Sequence, residues 1–173
     1  MPFKHHLIFR LTIFDACALA ALAWGWQMGI VWPMFETDTS GICFVIVAVF
    51  LLGKASLFAR CVKVSAAKND QKAGEKLRLK PESFIAKSEH LSDMVEASTA
   101  LGLVGTLIGL AMVIRSLDPA ADYAASIELV KEGGSIAVNT SIVGALAGMW
   151  LNVGRRMLAT ATATMISDAE SGK

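Results

Sequence analysis

Small residues and a hydroxyl mark the stretch of this sequence that could do chemistry. Residues 100–114, ALGLVGTLIGLAMVI, contain Gly102, Gly105 and Gly109, one hydroxyl on Thr106 and no charge. Glycine weakens a helix in water by ~1 kcal/mol relative to alanine. In a membrane helix, small residues instead let a neighbouring backbone approach closely. The spacing puts these residues on or near one face, so we expect a helix with a close neighbour and a hydroxyl beside it.

A second stretch repeats this pattern further along the chain. Ala137, Ser141, Gly144 and Gly148 recur at spacings of four, three and four, which gives one continuous face of small residues. Thr140 and Ser141 place hydroxyls in or beside that face. Such faces can simply pack the helices of one bundle together. Two of them, each with hydroxyls, favour the interpretation that both face a separate, closely packed helix.

Carboxylates are scarce in the apolar parts of the chain. Asp15 is the one acid in the first apolar run, and two interpretations of it stay open. It is either an interfacial acid that pairs with Arg10 or caps a neighbour, or an acid on an ion path. Proton relays through membranes normally use Asp, Glu or His side chains. Because the third and fourth apolar runs have no carboxylate in their middle, another chain would have to supply the titrating group.

The composition predicts an all-α membrane protein. Of 173 residues, 54% are hydrophobic and 18% charged, and crossing a bilayer takes ~20 apolar residues. Four runs are long enough, with the third helix extending beyond the membrane. The predicted segments are an interfacial lead-in at 1–10, spans at 11–35, 42–59, 97–117 and 135–158, a polar segment at 60–96 with a helix from about residue 82, a loop at 118–134 and a tail at 159–173.

Charge asymmetry predicts the orientation of the spans. Of sixteen Lys and Arg residues, fourteen fall on the side that holds both termini and the segment 60–96. Because Lys and Arg favour the cytoplasmic side, both termini are predicted to be cytoplasmic. On the helix that projects from the third span, Glu89, Asp93 and Glu96 form either a solvated face or a contact for a cytoplasmic partner.

Other classes of site find no support in the residues. The net charge of +1 argues against a nucleic-acid partner, and the three cysteines have no metal-ligand spacing. His5 and His6 are adjacent, so they do not share a helix face. Without a cluster of catalytic polar residues, we expect neither an enzyme nor a cofactor or metal site.

The two glycine-bearing stretches resemble the signatures of a known family. Residues 101–110, LGLVGTLIGL, resemble the motif G-L-x-G-T-x-x-G of the MotA/TolQ/ExbB proton-channel family, and residues 137–144, AVNTSIVG, resemble its second motif, A-L-x-x-T-x-x-G. Order and spacing agree, and four spans with both ends inside are similar to the MotA branch. Thr106 matches the first motif's threonine, and Ser141 falls where the second has threonine, with Thr140 beside it as the alternative equivalent. The small motif positions are matched by Gly102, Gly105, Gly109, Ala137 and Gly144.

The resemblance implies a function in a bacterial inner membrane. It implies a homopentameric ring around two copies of a single-span partner, similar to MotB, TolR or ExbD, whose membrane aspartate is protonated and released. Such a ring conducts H⁺ or Na⁺ and converts the ion gradient into rotation or force. The alternative is a non-conducting scaffold or accessory subunit that packs around partner helices.

Overall fold

The computed structural model describes residues 6–72, 89–115 and 123–171, and within these ranges the chain is all-helical. The helices are α1 (His6–Gln27), α2 (Val31–Glu36), α3 (Ile42–Lys72), α4 (Glu89–Arg115) and α5 (Tyr123–Ser171). All but α2 are long and apolar enough to cross a membrane, over Leu7–Gln27, Ile42–Ala66, Glu89–Arg115 and Ser126–Thr164. The prediction of an all-α protein with four candidate membrane spans is confirmed.

Neighbouring spans alternate in direction. On α4 and α5, Gly109 lies near Gly133 whereas Thr99 lies near Gly148, so these helices are antiparallel. On α3 and α5, Gly53 and Leu57 lie near Leu151 and Gly154, so these two run in the same direction. We call the end of the bundle with the turn at residues 37–41 the loop end, and the other the opposite end.

The first span is shorter than predicted. The sequence favoured a span over 11–35, but α1 ends at Gln27 and Gly29 follows with a φ of 71°. That left-handed backbone is accessible to glycine, so the chain turns here and begins α2. Pro33 lies in the first turn of α2, where a missing N–H leaves no helical hydrogen bond unmade. The aromatic rings of Trp26 and Trp32 meet edge-on across the turn, 5.4 Å apart.

The helix that contains the fourth predicted span is longer than that span. Helix α5 includes all of residues 135–158, and the predicted loop at 118–134 is helical from Tyr123 onward. Helix α5 begins at Tyr123 and continues through Gly133 and Gly134, which the sequence suggested would end a loop. Gly133 is buried against α4, where an added Cβ would lie 3.0 Å from Cβ of Met112. This glycine therefore permits close helix packing and does not end a helix. The predicted boundary at residue 158 and the separate tail also fall inside α5.

The helix that contains the second span extends beyond its predicted bounds, whereas α4 stays within them. The second span, predicted over 42–59, belongs to a helix that continues to Lys72. Helix α4 runs without a break from Glu89 into the glycine-bearing stretch, as predicted. Its predicted start near residue 82, residues 1–5 of the lead-in and residues 116–117 of the third span lie outside the described residues.

A small apolar core joins four helices toward the opposite end. Its buried members are Leu11, Leu57, Cys61, Val64, Leu91 and Leu158. Most other large apolar side chains of α1 are exposed, among them Leu19, Trp24 and Trp26. An exposed apolar surface of this extent is suited to contact with lipid, in agreement with the hydropathy of the four spans.

Candidate functional site

The faces of small residues on α4 and α5 bring the two backbones into direct contact. A Cβ added to Gly144 would lie 2.8 Å from Cα of Gly102, and one added to Gly105 would lie 2.5 Å from Cβ of Thr140. Cβ atoms do not approach other heavy atoms so closely, so alanine at these positions would force the helices apart. The glycines set the separation of α4 and α5, as small residues do between membrane helices.

This packing corrects our expectation that the two faces of small residues receive a helix from another chain. Within one chain, the face of small residues on α4 packs against the face of small residues on α5. A Cβ added to Gly109 would lie 2.6 Å from the backbone nitrogen of Ala137, and one added to Gly148 would lie 2.6 Å from Oγ1 of Thr99. Because α4 and α5 are consecutive antiparallel helices, the nearest face available to each is that of the other. The motif glycines thus line an intramolecular contact.

Thr106 and Ser141 form a hydroxyl pair in this contact. The Oγ1 of Thr106 is hydrogen-bonded to the Oγ of Ser141, and it also donates to the carbonyl oxygen of Gly102 at 2.9 Å. A hydroxyl has one proton. When Thr106 gives its proton to Gly102, Ser141 must donate to Thr106, and the Ser141 oxygen keeps lone pairs for an outside donor. Both side chains are only partly buried.

Thr140 has a different position from Ser141. It is fully buried, its Oγ1 donates to the carbonyl oxygen of Ile136 at 2.7 Å, and its side chain fills the space over Gly105. Of the two residues that the sequence left open as the motif's equivalent, Ser141 is the one that meets Thr106. Thr140 serves as a packing residue.

Asp15 pairs with α3 and α5. Its Oδ1 accepts hydrogen bonds from Nζ of Lys54 at 2.5 Å and from Nε1 of Trp150 at 2.7 Å. The suggested pairing with Arg10 is therefore wrong, and Arg10 is exposed. Sequence reasoning missed both true partners. Lys54 was detectable in principle, because a charge inside an apolar span needs a counter-charge.

A polar network holds the loop end together. Asp38 is 6% exposed and accepts hydrogen bonds from Oγ of Ser40 at 2.5 Å and from the backbone N–H of Cys43 at 2.7 Å. The second bond satisfies one of the free N–H groups at the start of α3. Burial alone would raise the pKa of Asp38, but these hydrogen bonds outweigh it and hold the pKa below the ordinary value of 3.8. Nearby, Thr37 accepts from Ser135 and Asn139 at 3.0 Å, which ties the turn to α5.

At the opposite end, His90 lies between two side chains of α3. Its Nε2 is 2.7 Å from Oγ of Ser56, and its Nδ1 is 3.1 Å from a guanidinium nitrogen of Arg60. Arginine can only donate, so the nearer ring nitrogen, Nδ1, accepts from Arg60. Nothing in the spacing of the sequence predicted this contact between α3 and α4. The predicted partner-contact acids, Glu89, Asp93 and Glu96, are all exposed on this part of α4.

Metal ligands do not gather in the described part of the chain: residues 6–72, 89–115 and 123–171 hold no group of three or more His, Cys, Asp or Glu side chains that could bind a metal ion. Cys17 is exposed, Cys43 and Cys61 are buried, and all three are free thiols. No protein-family model, curated protein or solved structure matches the chain.

Proposed function

We propose that this protein is an ion-conducting subunit of a membrane energy-coupling motor in a bacterial inner membrane. In this proposal, five copies surround two copies of a single-span partner whose membrane aspartate carries H⁺, or coordinates Na⁺. The observation that carries it is the hydrogen bond between Thr106 and Ser141. These residues occupy the hydroxyl positions of two separate motifs and lie 35 residues apart in the chain, yet their side chains meet.

The hydroxyl pair suits the recognition of a protonated carboxylic acid. The Ser141 oxygen can accept a hydrogen bond from a protonated aspartate, whereas an ionised carboxylate has no proton to donate. In the arrangement in which Thr106 donates to Gly102 and Ser141 donates to Thr106, the pair would therefore bind the protonated acid in preference to the ionised one. One charge that crosses 100 mV releases ~2.3 kcal/mol, which is the energy available for each step of such a motor.

Replacement of the hydroxyls tests the proposal. We expect Ser141→Ala and Thr106→Ala each to lower ion flux roughly tenfold, because each removes a hydrogen bond of about 1 kcal/mol or slightly more from the path. Flux is measured with the purified complex, partner included, in liposomes under an imposed gradient. Ser98→Ala is the matched control, since Ser98 is another hydroxyl of α4 but is fully buried and donates to the carbonyl oxygen of Met94, away from the pair.

The outcome that contradicts this role is unchanged flux in both hydroxyl variants while flux still requires the partner's aspartate. A normal amount of assembled complex in each variant, measured by size-exclusion chromatography, ensures that flux and not assembly is compared.

A non-conducting scaffold is the second candidate function, and one observation favours it. The glycine faces that would suit a foreign helix are filled by contacts between α4 and α5 of the same chain. The scaffold hypothesis expects that the reconstituted complex passes no ions above the level of empty liposomes. Ion flux that stops when the partner's aspartate is replaced by asparagine would exclude it.

The three exposed acids of α4 offer a surface for a partner outside the membrane. Glu89, Asp93 and Glu96 lie at spacings of four and three, so they share one side of the helix. In the proposed motor, this side would contact a basic surface of whatever component the ion flow moves.

A further inference from the structure

Two opposite charges lie at matching depths inside the candidate spans. Asp15 is eight residues into the span Leu7–Gln27, about 12 Å from its start. Lys54 is twelve residues into the span Ile42–Ala66, which begins at the loop end, about 18 Å from its start. The two depths add up to the ~30 Å thickness of the hydrocarbon layer, so both charges lie at one level within it. Their side chains are 24% and 17% exposed, respectively.

Hydrogen bonds to one carboxylate oxygen connect three helices. Oδ1 of Asp15, on α1, accepts from Nζ of Lys54, on α3, and from Nε1 of Trp150, on α5. Nζ of Lys54 also lies 5.5 Å from the centre of the Trp150 ring, a distance at which a cation and an aromatic face attract each other. On α3, the ring of Phe50 packs against Trp150 at 5.1 Å. The ion pair is thus electrically neutral as a whole, and it packs against aromatic rings.

Leu11 of α1 is buried in the apolar core, but many of the other large apolar side chains of α1 are exposed. Among them are Ile13, Leu19, Leu22, Trp24 and Trp26. Lipid tails are as apolar as these side chains, so apolar contacts alone give a weak preference for docking in a bilayer. Separation of the ion pair, by contrast, would leave two unpaired charges in hydrocarbon. The charges therefore decide whether α1 stays on α3 and α5.

We propose that Asp15, Lys54 and Trp150 form an intramembrane anchor that holds α1 against α3 and α5. In this assignment, Asp15 is a fixed partner of Lys54 and does not carry an ion. The inference is independent of the proposed function, because it concerns how one chain is held together, whether or not it conducts.

The native cysteines provide the test. Cys61 is 1% exposed and belongs to the same buried cluster as Leu11 of α1, so release of α1 would uncover it. In a Cys17→Ser background, which removes the exposed thiol of α1, we measure the rate at which N-ethylmaleimide modifies Cys61 in native membranes. Asp15→Asn and Lys54→Met should each raise this rate roughly tenfold, because each leaves one partner of the pair uncompensated.

Charge exchange is the decisive variant. The double change Asp15→Lys with Lys54→Asp restores an ion pair at the same place, and it should return the modification rate of Cys61 most of the way to that of the parent. Arg10→Gln, which removes the other charge described on α1, is the matched control and should leave the rate unchanged. If either single variant leaves Cys61 protected, or if the exchange variant is as reactive as the single variants, the anchor is overturned.

Cys43 separates release of α1 from unfolding of the bundle. It is fully buried at the loop end of α3. Modification of Cys61 alone supports the anchor. Modification of Cys43 and Cys61 together, at similar rates, would mean that the pair stabilises the whole bundle and not α1 in particular, and it would overturn the proposal.

Discussion

Two aspartates of this chain act through the hydrogen bonds that their carboxylates accept. Asp15 and Asp38 are carboxylates of the same type, but one pairs with Lys54 within the candidate spans and the other caps the start of α3 in the turn at the loop end. Neither role follows from the residue type. Each depends on which donors the fold brings within 3 Å.

Acid should weaken the cap on α3. The pKa of Asp38 is lower in the folded protein than its ordinary value of 3.8, so its carboxylate stabilises the fold above about pH 3.8 and this contribution disappears as the pH falls through the lower, folded pKa. We expect Asp38→Asn to cost about 1 kcal/mol at pH 7 and less at pH 3. Thermal unfolding in detergent at both pH values measures this difference. Glu36→Gln, at an exposed acid nearby, should change neither.

The sequence singled out Thr106 and Ser141 individually, but it predicted neither the contact between their hydroxyls nor the partner of Asp15. Thr106 and Ser141 were found because both lie in motifs of recognisable spacing. Asp15 was assigned to Arg10, which is close in the sequence, but its partner Lys54 is 39 residues away. An acid and a base that each stand alone in an apolar span can be matched by charge. The contribution of Trp150 could not be predicted, because the orientation of α5 relative to α1 is a result of packing.

At the scale of helices, glycine has two opposite roles in this protein. Gly29 has a positive φ and lies between α1 and α2, whereas Gly105 and Gly133 lie within helices and allow α4 and α5 to touch. From the sequence, Gly133 and Gly134 were interpreted as the end of a loop. The composition of a Gly-Gly pair does not show whether another backbone lies beside it, and this is why residues 123–134 were predicted as part of a loop although they belong to α5.

A pair of glycine variants should separate packing from helix propensity. Gly105→Ala places a Cβ 2.5 Å from Cβ of Thr140, so we expect a loss of roughly 1–3 kcal/mol. Gly134→Ala meets no atom within 4 Å and should stabilise α5 by about 0.5–1 kcal/mol. Unfolding in mixed micelles measures both. Equal stability of the two variants would contradict the close contact of α4 and α5.

At the scale of the whole molecule, four spans were predictable because apolar runs of this length are rare outside membranes. Which faces meet was not predictable. The faces of small residues were expected to contact a helix of another chain, but they contact each other. The proposed conducting function therefore rests on the hydroxyl pair and the resemblance of the two motifs, and no longer on glycine faces that need a partner.

The charge distribution makes a prediction for the whole molecule. Most Lys and Arg residues are predicted to lie at the opposite end of the bundle. If that end is cytoplasmic, the cysteine of a Thr39→Cys variant, in the loop-end turn, should react with a membrane-impermeant maleimide in intact cells. A cysteine at Thr160, which is exposed near the end of α5, should react only after the membrane is opened. Both are measured in a background without the native cysteines. The reverse pattern of labelling would show that the orientation is inverted.

The length of α5 has a mechanical consequence. Its 49 residues rise about 74 Å, more than twice the ~30 Å hydrocarbon thickness of a bilayer. A continuous helix of this length is stiff, and it tilts about the part that lies within the bilayer. When a helix of this length crosses a bilayer, more than half of it lies outside the hydrocarbon layer, so a change of its tilt would move the parts on the two sides in opposite directions.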